Sequence, residues 1–269
     1  MPWGYLGIFY IVALVLCAAG FYKFVYFMSI GYGFAVAGLG IAYFIALAAG
    51  GYAWNLVTLL QCALFVAYGI RLSGFLLVRE IKNASYRKVL KEATKEDEKP
   101  MPVFVKAAIW ICVGLMYVAQ TSPVFFRGWN GQGGEIVLPL IGVLISAFGL
   151  GLEALADQQK SEQKKKNPNM VATQDLYKLV RCPNYLGEII FWTGVLIGAL
   201  NALHGFGQWI IAILGYILIV MVMFNGAQRL DRRQEKRYGK RPNYRAYADH
   251  TPIIIPFVPL YHIGKYKDE

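Results

Sequence analysis

Four groups of residues combine chemistry-bearing side chains with helical spacing. Tyr68, Arg71, Phe75 and Arg79 follow one another at steps of three, four and four, which places them on one stripe of a helix. The run around them is apolar, so an arginine within it has to face the interior of a helical bundle, or water, rather than lipid. Tyr68 lies one turn deeper and shares that direction, and a phenol facing a cavity can donate a proton. The alternative is an interfacial aromatic, with Arg71 reaching outward to the headgroups.

Glu153, Asp157, Lys160 and Lys164 step by four, three and four at the end of a later apolar run. Two carboxylates entering a membrane are tolerated where they accept hydrogen bonds from ribose or amide groups, or pair with the arginines of the first stripe. The run Lys164-Lys165-Lys166 offers contacts for phosphates, or else simply marks a solvated cytosolic loop. The third group is Leu176-Tyr-Lys-Leu-Val-Arg-Cys-Pro-Asn-Tyr-Leu-Gly-Glu188. Pro183 suits the first turn of a helix, Asn184 and Glu188 are one turn apart, and a helix N-terminus attracts anions through its free amides. Glu188 falls in an apolar helix and requires a partner, for which Arg181 or a third-span arginine is suited; the alternative is a capped helix start with one buried ion pair. In the tail from Asn225 to Pro256, Arg229, Arg233, Lys236 and Lys240 line one face of a juxtamembrane helix. Tyr244 and Tyr247 follow before Thr251-Pro-Ile-Ile-Ile-Pro256. Such a helix either clamps phosphates or lies on anionic lipid.

The elements that position these groups are membrane helices. Of 269 residues 57% are hydrophobic, more than a soluble domain needs for its core. A crossing takes about 20 mostly apolar residues. Seven stretches qualify, at 4–27, 29–48, 51–78, 102–121, 136–156, 186–202 and 205–224. The first lacks the basic leading region of a signal peptide, and its apolar run is too long for one. Of the 27 Lys and Arg, seven fall in 79–101, six in 157–185 and ten in 225–269, whereas 49–50, 122–135 and 203–204 hold only Arg127. Basic residues are retained on the cytoplasmic side, so the expectation is seven spans with the N-terminus outside and the C-terminus cytosolic. The chain is then a single membrane domain over 1–269, with spans 1–3 in 1–78, spans 4–5 in 102–156, spans 6–7 in 186–224, and cytosolic segments at 79–101, 157–185 and 225–269. It resides in a bacterial inner membrane or the endoplasmic reticulum.

The net charge of +11 becomes one basic layer at a membrane surface, which favours anionic headgroups and anionic ligands. Nucleic acid is disfavoured, because the charges lie within a few residues of spanning helices. Cys17, Cys62, Cys112 and Cys182 lack any metal-ligand spacing, and His204, His250 and His262 are scattered outside the spans, so no metal site is expected. There is no Gly-rich dinucleotide loop and no phosphate loop. Whatever binds here uses helix ends and the loops between them.

The residues from the third span to the tail resemble the steroid 5-alpha-reductase family and its bacterial relatives. The resemblance rests on Tyr68-x-x-Arg71, Glu153-x-x-x-Asp157, Asn184-Tyr-Leu-Gly-Glu188 and the closing Tyr-x-x-Tyr before Ile-Pro-Phe. It implies a seven-helix fold, NADPH bound between cytosolic loops and helix ends, and hydride transfer to the β-carbon of a conjugated enone in a steroid or other lipid-like substrate. On that pattern Tyr68 matches the tyrosine that polarises the substrate carbonyl. Asp157, Lys164, Asn184, Glu188 and tail arginines match cofactor contacts. The full candidate cofactor set is Arg71, Arg79, Glu153, Asp157, Lys164, Tyr177, Arg181, Asn184, Glu188, Asn225, Arg229, Arg233, Tyr244 and Tyr247.

Two features depart from the pattern. Steroid-reducing members pair the tyrosine with a glutamate on the second span, yet no Asp or Glu occurs between residues 1 and 79; Tyr43, Asn55 or Gln61 are the substitutes within reach. The tail also carries a short insertion around Tyr238-Gly-Lys-Arg-Pro-Asn243. A second resemblance, of Arg181-Cys-Pro-Asn-Tyr-Leu-Gly187 and the closing Tyr-x-x-Tyr, is to membrane isoprenylcysteine methyltransferases, which use S-adenosylmethionine. Those usually have His where Cys182 stands and need neither the Tyr68 stripe nor the Glu153/Asp157 pair. A lipid transporter or scaffold would place polar residues near the bilayer midplane, whereas here they crowd the cytosolic ends. The reading is therefore an NADPH-dependent membrane reductase.

Overall fold

A computed structural model describes residues 2–51, 56–82, 101–131 and 136–263. Within them the chain is helical, with no strand. Eight α-helices are described: α1 (Pro2–Cys17), α2 (Ile30–Ala49), α3 (Leu56–Lys82), α4 (Val103–Asn130), α5 (Val137–Lys166), α6 (Pro183–Ile197), α7 (Gly205–Tyr238) and α8 (Pro242–Ala248). Short 3-10 turns occupy Ala18–Phe21, Phe24–Met28 and Asp175–Lys178. Among the described residues six segments are long and apolar enough to cross a membrane: Trp3–Phe21, Phe24–Ala49, Leu56–Lys82, Val103–Asn130, Val137–Lys166 and Gly205–Tyr238. The chain is a multi-pass integral membrane protein.

Three expectations change in detail. The stretch 186–202 is not one continuous helix of spanning length. α6 has 15 residues, about 22 Å at 1.5 Å each, short of a hydrocarbon layer of about 30 Å. Apolar character runs on to residue 202, but beyond Ile197 the backbone continues only as turns, with Ala199, Leu200 and Ala202 donating to Leu196, Ile197 and Ala199. The first span ends sooner than residue 27, because the chain reverses around Lys23, where Gly20 leaves room for the Phe27 ring. Conversely, α5 and α7 outrun their apolar stretches and carry the basic groups beyond them as helix, with lysine or arginine in their last turns, the favourable end of the helix dipole.

Pro123 sits inside α4. It cannot donate to the carbonyl of Ala119, and the Ser122 hydroxyl supplies that bond instead at 2.9 Å, so the helix continues through the proline.

The chain packs as two compact units, one of residues 1–143 and 195–216, the other of 144–194 and 217–269. In the first, α2 and α3 cross in backbone contact. A Cβ on Gly33 would lie 2.7 Å from the Gly69 carbonyl, and one on Gly69 would lie 2.0 Å from the Gly33 carbonyl. Only glycine allows that approach. Ser73 donates to the Ile30 carbonyl at 2.7 Å, and Tyr26 donates to Glu80 at 2.7 Å beside a Lys23–Glu80 ion pair. In the second unit α5 and α6 meet in the same way. A Cβ on Gly187 would fall 2.7 Å from the Glu153 amide nitrogen, and one on Gly149 would fall 2.4 Å from that of Phe191.

Candidate functional site

In the first unit the residue immediately before each crossing glycine is a tyrosine. Tyr32 precedes Gly33 and Tyr68 precedes Gly69. The tight crossing therefore brings the two phenols together, and the Tyr68 hydroxyl donates to that of Tyr32 at 2.9 Å. Both rings are buried. Tyr32 meets Tyr68 edge-on at 5.8 Å between centroids and lies 5.1 Å from the Tyr117 ring. Arg71 is half-buried and Arg79 exposed further along α3.

Tyr32 is absent from the sequence-derived set. Of the substitutes considered there, Tyr43 is engaged with Thr121 at 2.6 Å, Asn55 lies outside the described residues, and Gln61 is buried two turns from Tyr68. The findable signal was the repeated Tyr-Gly step in adjacent spans.

The second unit gathers the other candidates. Glu153 and Glu188 are buried beside the Gly149–Gly187 contact, and Asp157 is half-buried one turn beyond Glu153. Tyr177, Arg181, Lys164 and Tyr247 are taken up in building the unit. Tyr177 donates to the Ala156 carbonyl at 3.2 Å, and Tyr247 donates to that of Tyr177 at 2.7 Å. Lys164 donates to the Met170 carbonyl and to the Tyr238 hydroxyl at 3.2 Å, closing the loop that follows α5. Arg181 does not spend its charge on Glu188, as spacing suggested. It pairs with Asp231 at 2.8 Å, with both side chains almost fully enclosed, and donates to the Tyr261 carbonyl. The amides of Arg181 and Cys182 donate to Pro252 and Ile253 at 2.8 and 2.9 Å, and the Ile263 amide donates to Asp231 at 3.3 Å. The tail is thus laced onto the start of α6.

What remains open lies around that start. Asn184 has its Oδ1 shut off from solvent and without a hydrogen-bond partner among the described residues, and the buried Tyr244 hydroxyl is in the same position. Gly226 of α7 faces the Tyr185 ring, which a Cβ there would approach to 3.1 Å; Asn225 beside that glycine, Arg229 one turn on and Arg233 are exposed. A helix N-terminus, an unmet amide oxygen, an unmet phenol and exposed arginines suit a ligand with phosphates and polar groups. Burial pushes the Cys182 thiol and the Tyr244 phenol up to about 12 and raises Tyr177 and Tyr247 as well. At neutral pH all four are protonated, so they act as donors or packing groups rather than bases.

The fold and these polar ends define a multi-pass helical membrane protein with a phenol pair inside one unit and an anion-suited helix start in the other. The chain belongs to the family described as protein of unknown function DUF1295, which matches residues 18–251, a membrane family related to steroid 5-alpha-reductase-like proteins. No curated protein and no solved structure matches it.

Proposed function

We propose that this protein is an NADPH-dependent membrane reductase that saturates the C=C bond of a conjugated enone in a lipid-like substrate. The observation that carries the reading is the buried Tyr68–Tyr32 hydroxyl pair, held at 2.9 Å inside an apolar unit. Reduction of an enone adds a hydride at the β-carbon and builds negative charge on the carbonyl oxygen, a fixed phenol donor stabilises that charge in the apolar unit, and the enolate then takes a solvent-derived proton at the α-carbon to give the saturated ketone. Tyr68 turns its proton from Tyr32 to the carbonyl, and Tyr32 donates in its place to the Tyr68 oxygen, so neither phenol loses its partner.

NADPH supplies the hydride when bound. On this reading Asn184, Asn225, Arg229 and Arg233 hold it at the start of α6 and along α7, with Tyr244 as a further donor and Glu153, Asp157 and Glu188 as acceptors for its hydroxyl and amide groups. Lys164, Tyr177, Arg181 and Tyr247 act by shaping the loops. The chain crosses the membrane seven times from an outside N-terminus to a cytosolic tail. What supports the seventh crossing is that the basic ends of α5 and α7 belong on one side, which leaves α6 and the turns to Ala202 to return the chain. Membrane lipids are its other partners.

The test is NADPH oxidation by the detergent-purified protein over a panel of lipid-soluble enones, with product analysis for the saturated ketone. Tyr68→Phe should lower turnover by about 10²–10³-fold and leave NADPH affinity near its original value. Unchanged turnover in that variant would remove Tyr68 from the chemistry.

A further inference from the structure

We infer that the tail loop 255–259 is a membrane-docking wedge, and that its partner is the boundary between headgroups and acyl chains of the bilayer the protein spans. The inference stands apart from the reductase reading.

Ile255, Pro256, Phe257, Val258 and Pro259 follow one another without a charged or hydrogen-bonding side chain. Two prolines in five residues fix φ at their own positions and leave the loop little freedom. Its ends are tied as well. The Ile253 amide donates to the Leu260 carbonyl at 2.9 Å across the base, and beyond it Val258 donates to Ile255 at 3.4 Å and Leu260 to Val258 at 2.7 Å. The base is bound in turn to the start of α6, through the Arg181 and Cys182 amides on Pro252 and Ile253. A loop held this way presents a fixed face.

That face is apolar. Ile255, Phe257, Val258 and Pro259 are exposed, and Phe257, at 94%, is the most exposed large hydrophobic side chain among the described residues. Single apolar side chains at a surface are ordinary, but these are contiguous. Phe257 also stands at a φ of 65°, a left-handed backbone that strains a bulky residue and would not strain glycine. The chain therefore carries strain at the very residue whose ring packs on nothing within the unit, a cost that an interior role does not offset.

What meets the face follows from the height at which the loop is held. Ile253 and Ile254, at its base, are buried with Cys182 and Ala227, and Leu186, Ile189 and Phe224 pack against them. Phe224 ends the apolar stretch of α7, and Ala227 lies three residues on, about 4–5 Å along the axis. Leu186 and Ile189 belong to the first two turns of α6. The headgroup layer adds about 5–8 Å to each side of the hydrocarbon, so the base of the loop lies within it. A phenylalanine, an isoleucine and a valine exposed at that depth enter the boundary with the acyl chains, as the apolar faces of interfacial segments do. Lipid contact at the tip then holds the tail against the start of α6.

The test uses the full-length protein in phosphatidylcholine nanodiscs. Cys112, the one exposed cysteine, is changed to Ser. A polarity-sensitive fluorophore is placed on Phe257→Cys or, as control, on Lys236→Cys, an exposed site about 18 Å beyond Phe224 along α7. Lipid brominated near the headgroup end of its acyl chains should quench the label at 257 and spare the one at 236. Amide exchange supplies a second reading. Phe257→Asn and Phe257→Gly ease the left-handed backbone but remove the ring, whereas Phe257→Trp keeps an aromatic wedge. In nanodiscs the first two should speed exchange at Arg181, Cys182 and Ile253 by about tenfold despite the eased backbone, and Phe257→Trp should match the wild type. Three results would each overturn the assignment: a label at 257 quenched no more than the one at 236; a blue-shifted label that brominated lipid leaves unquenched, as a second copy or a soluble protein on the loop would give; or exchange in Phe257→Gly no faster than in the wild type.

Discussion

Removing the carboxylate of Asp231 should do more damage than breaking an exposed ion pair of the same unit. Its Oδ1 meets Arg181 at 2.8 Å with the side chains 2% and 1% exposed, its Oδ2 accepts the Ile263 amide at 3.3 Å, and His262 lies 3.8 Å away. Asp231→Ala strands a guanidinium in the interior, a loss of about 3–5 kcal/mol. The Glu235–Arg245 pair, with its arginine 47% exposed, serves as the control, and breaking it should cost about 0–1 kcal/mol. The cost of Asp231→Ala falls on the lacing of the tail, so amide exchange at Arg181, Cys182 and Ile263 should accelerate by about 10²–10⁴-fold. NADPH affinity should drop with it. The double variant Arg181→Met with Asp231→Leu removes both charges and should recover most of the protection. Exchange in Asp231→Ala no faster than in the Glu235 control, or a double variant as damaged as the single, would refute the clamp.

Gly69→Ala puts a Cβ where the Gly33 carbonyl is only 2.0 Å away. Forcing the helices apart should cost about 1–3 kcal/mol and, by separating Tyr32 from Tyr68, lower turnover further than the stability loss explains; melting and kcat measured together check it. Tyr32→Phe keeps the ring packing but removes the acceptor, and kcat should fall less than in Tyr68→Phe, by about tenfold or under. Burial lifts the Tyr244 phenol from 10.0 to about 12, so the folded state holds that proton more tightly than the unfolded chain does. Its contribution is complete below pH 10 and is lost as the pH rises towards 12. The melting temperature should therefore decline across that window, and Tyr244→Phe should make the decline shallower.

Much of the architecture was legible because it is local. Apolar runs of membrane length identify a multi-pass helical membrane protein. Steps of three and four likewise placed Tyr68 and Glu153 in the interior, where both are buried. What could not be read depends on pairs distant in sequence. Arg181 and Asp231 are fifty residues apart, and spacing along one helix favours Glu188 as the partner simply because it is near. Tyr32 was hidden for the same reason, since its role follows from a glycine crossing between two helices. Hydropathy also overran α6, because Leu200, Ala202 and Leu203 are as apolar in turns as they would be in a helix.

The measurement that bears most directly on the central claim is the binding of NADPH, NADH and S-adenosylmethionine to the purified protein, followed by thermal shift at low and moderate salt. The account predicts selective stabilisation by NADPH that weakens with salt and is lost in a variant with both Arg229 and Arg233 changed to Glu. Stabilisation by S-adenosylmethionine, or by none of the three, would contradict it.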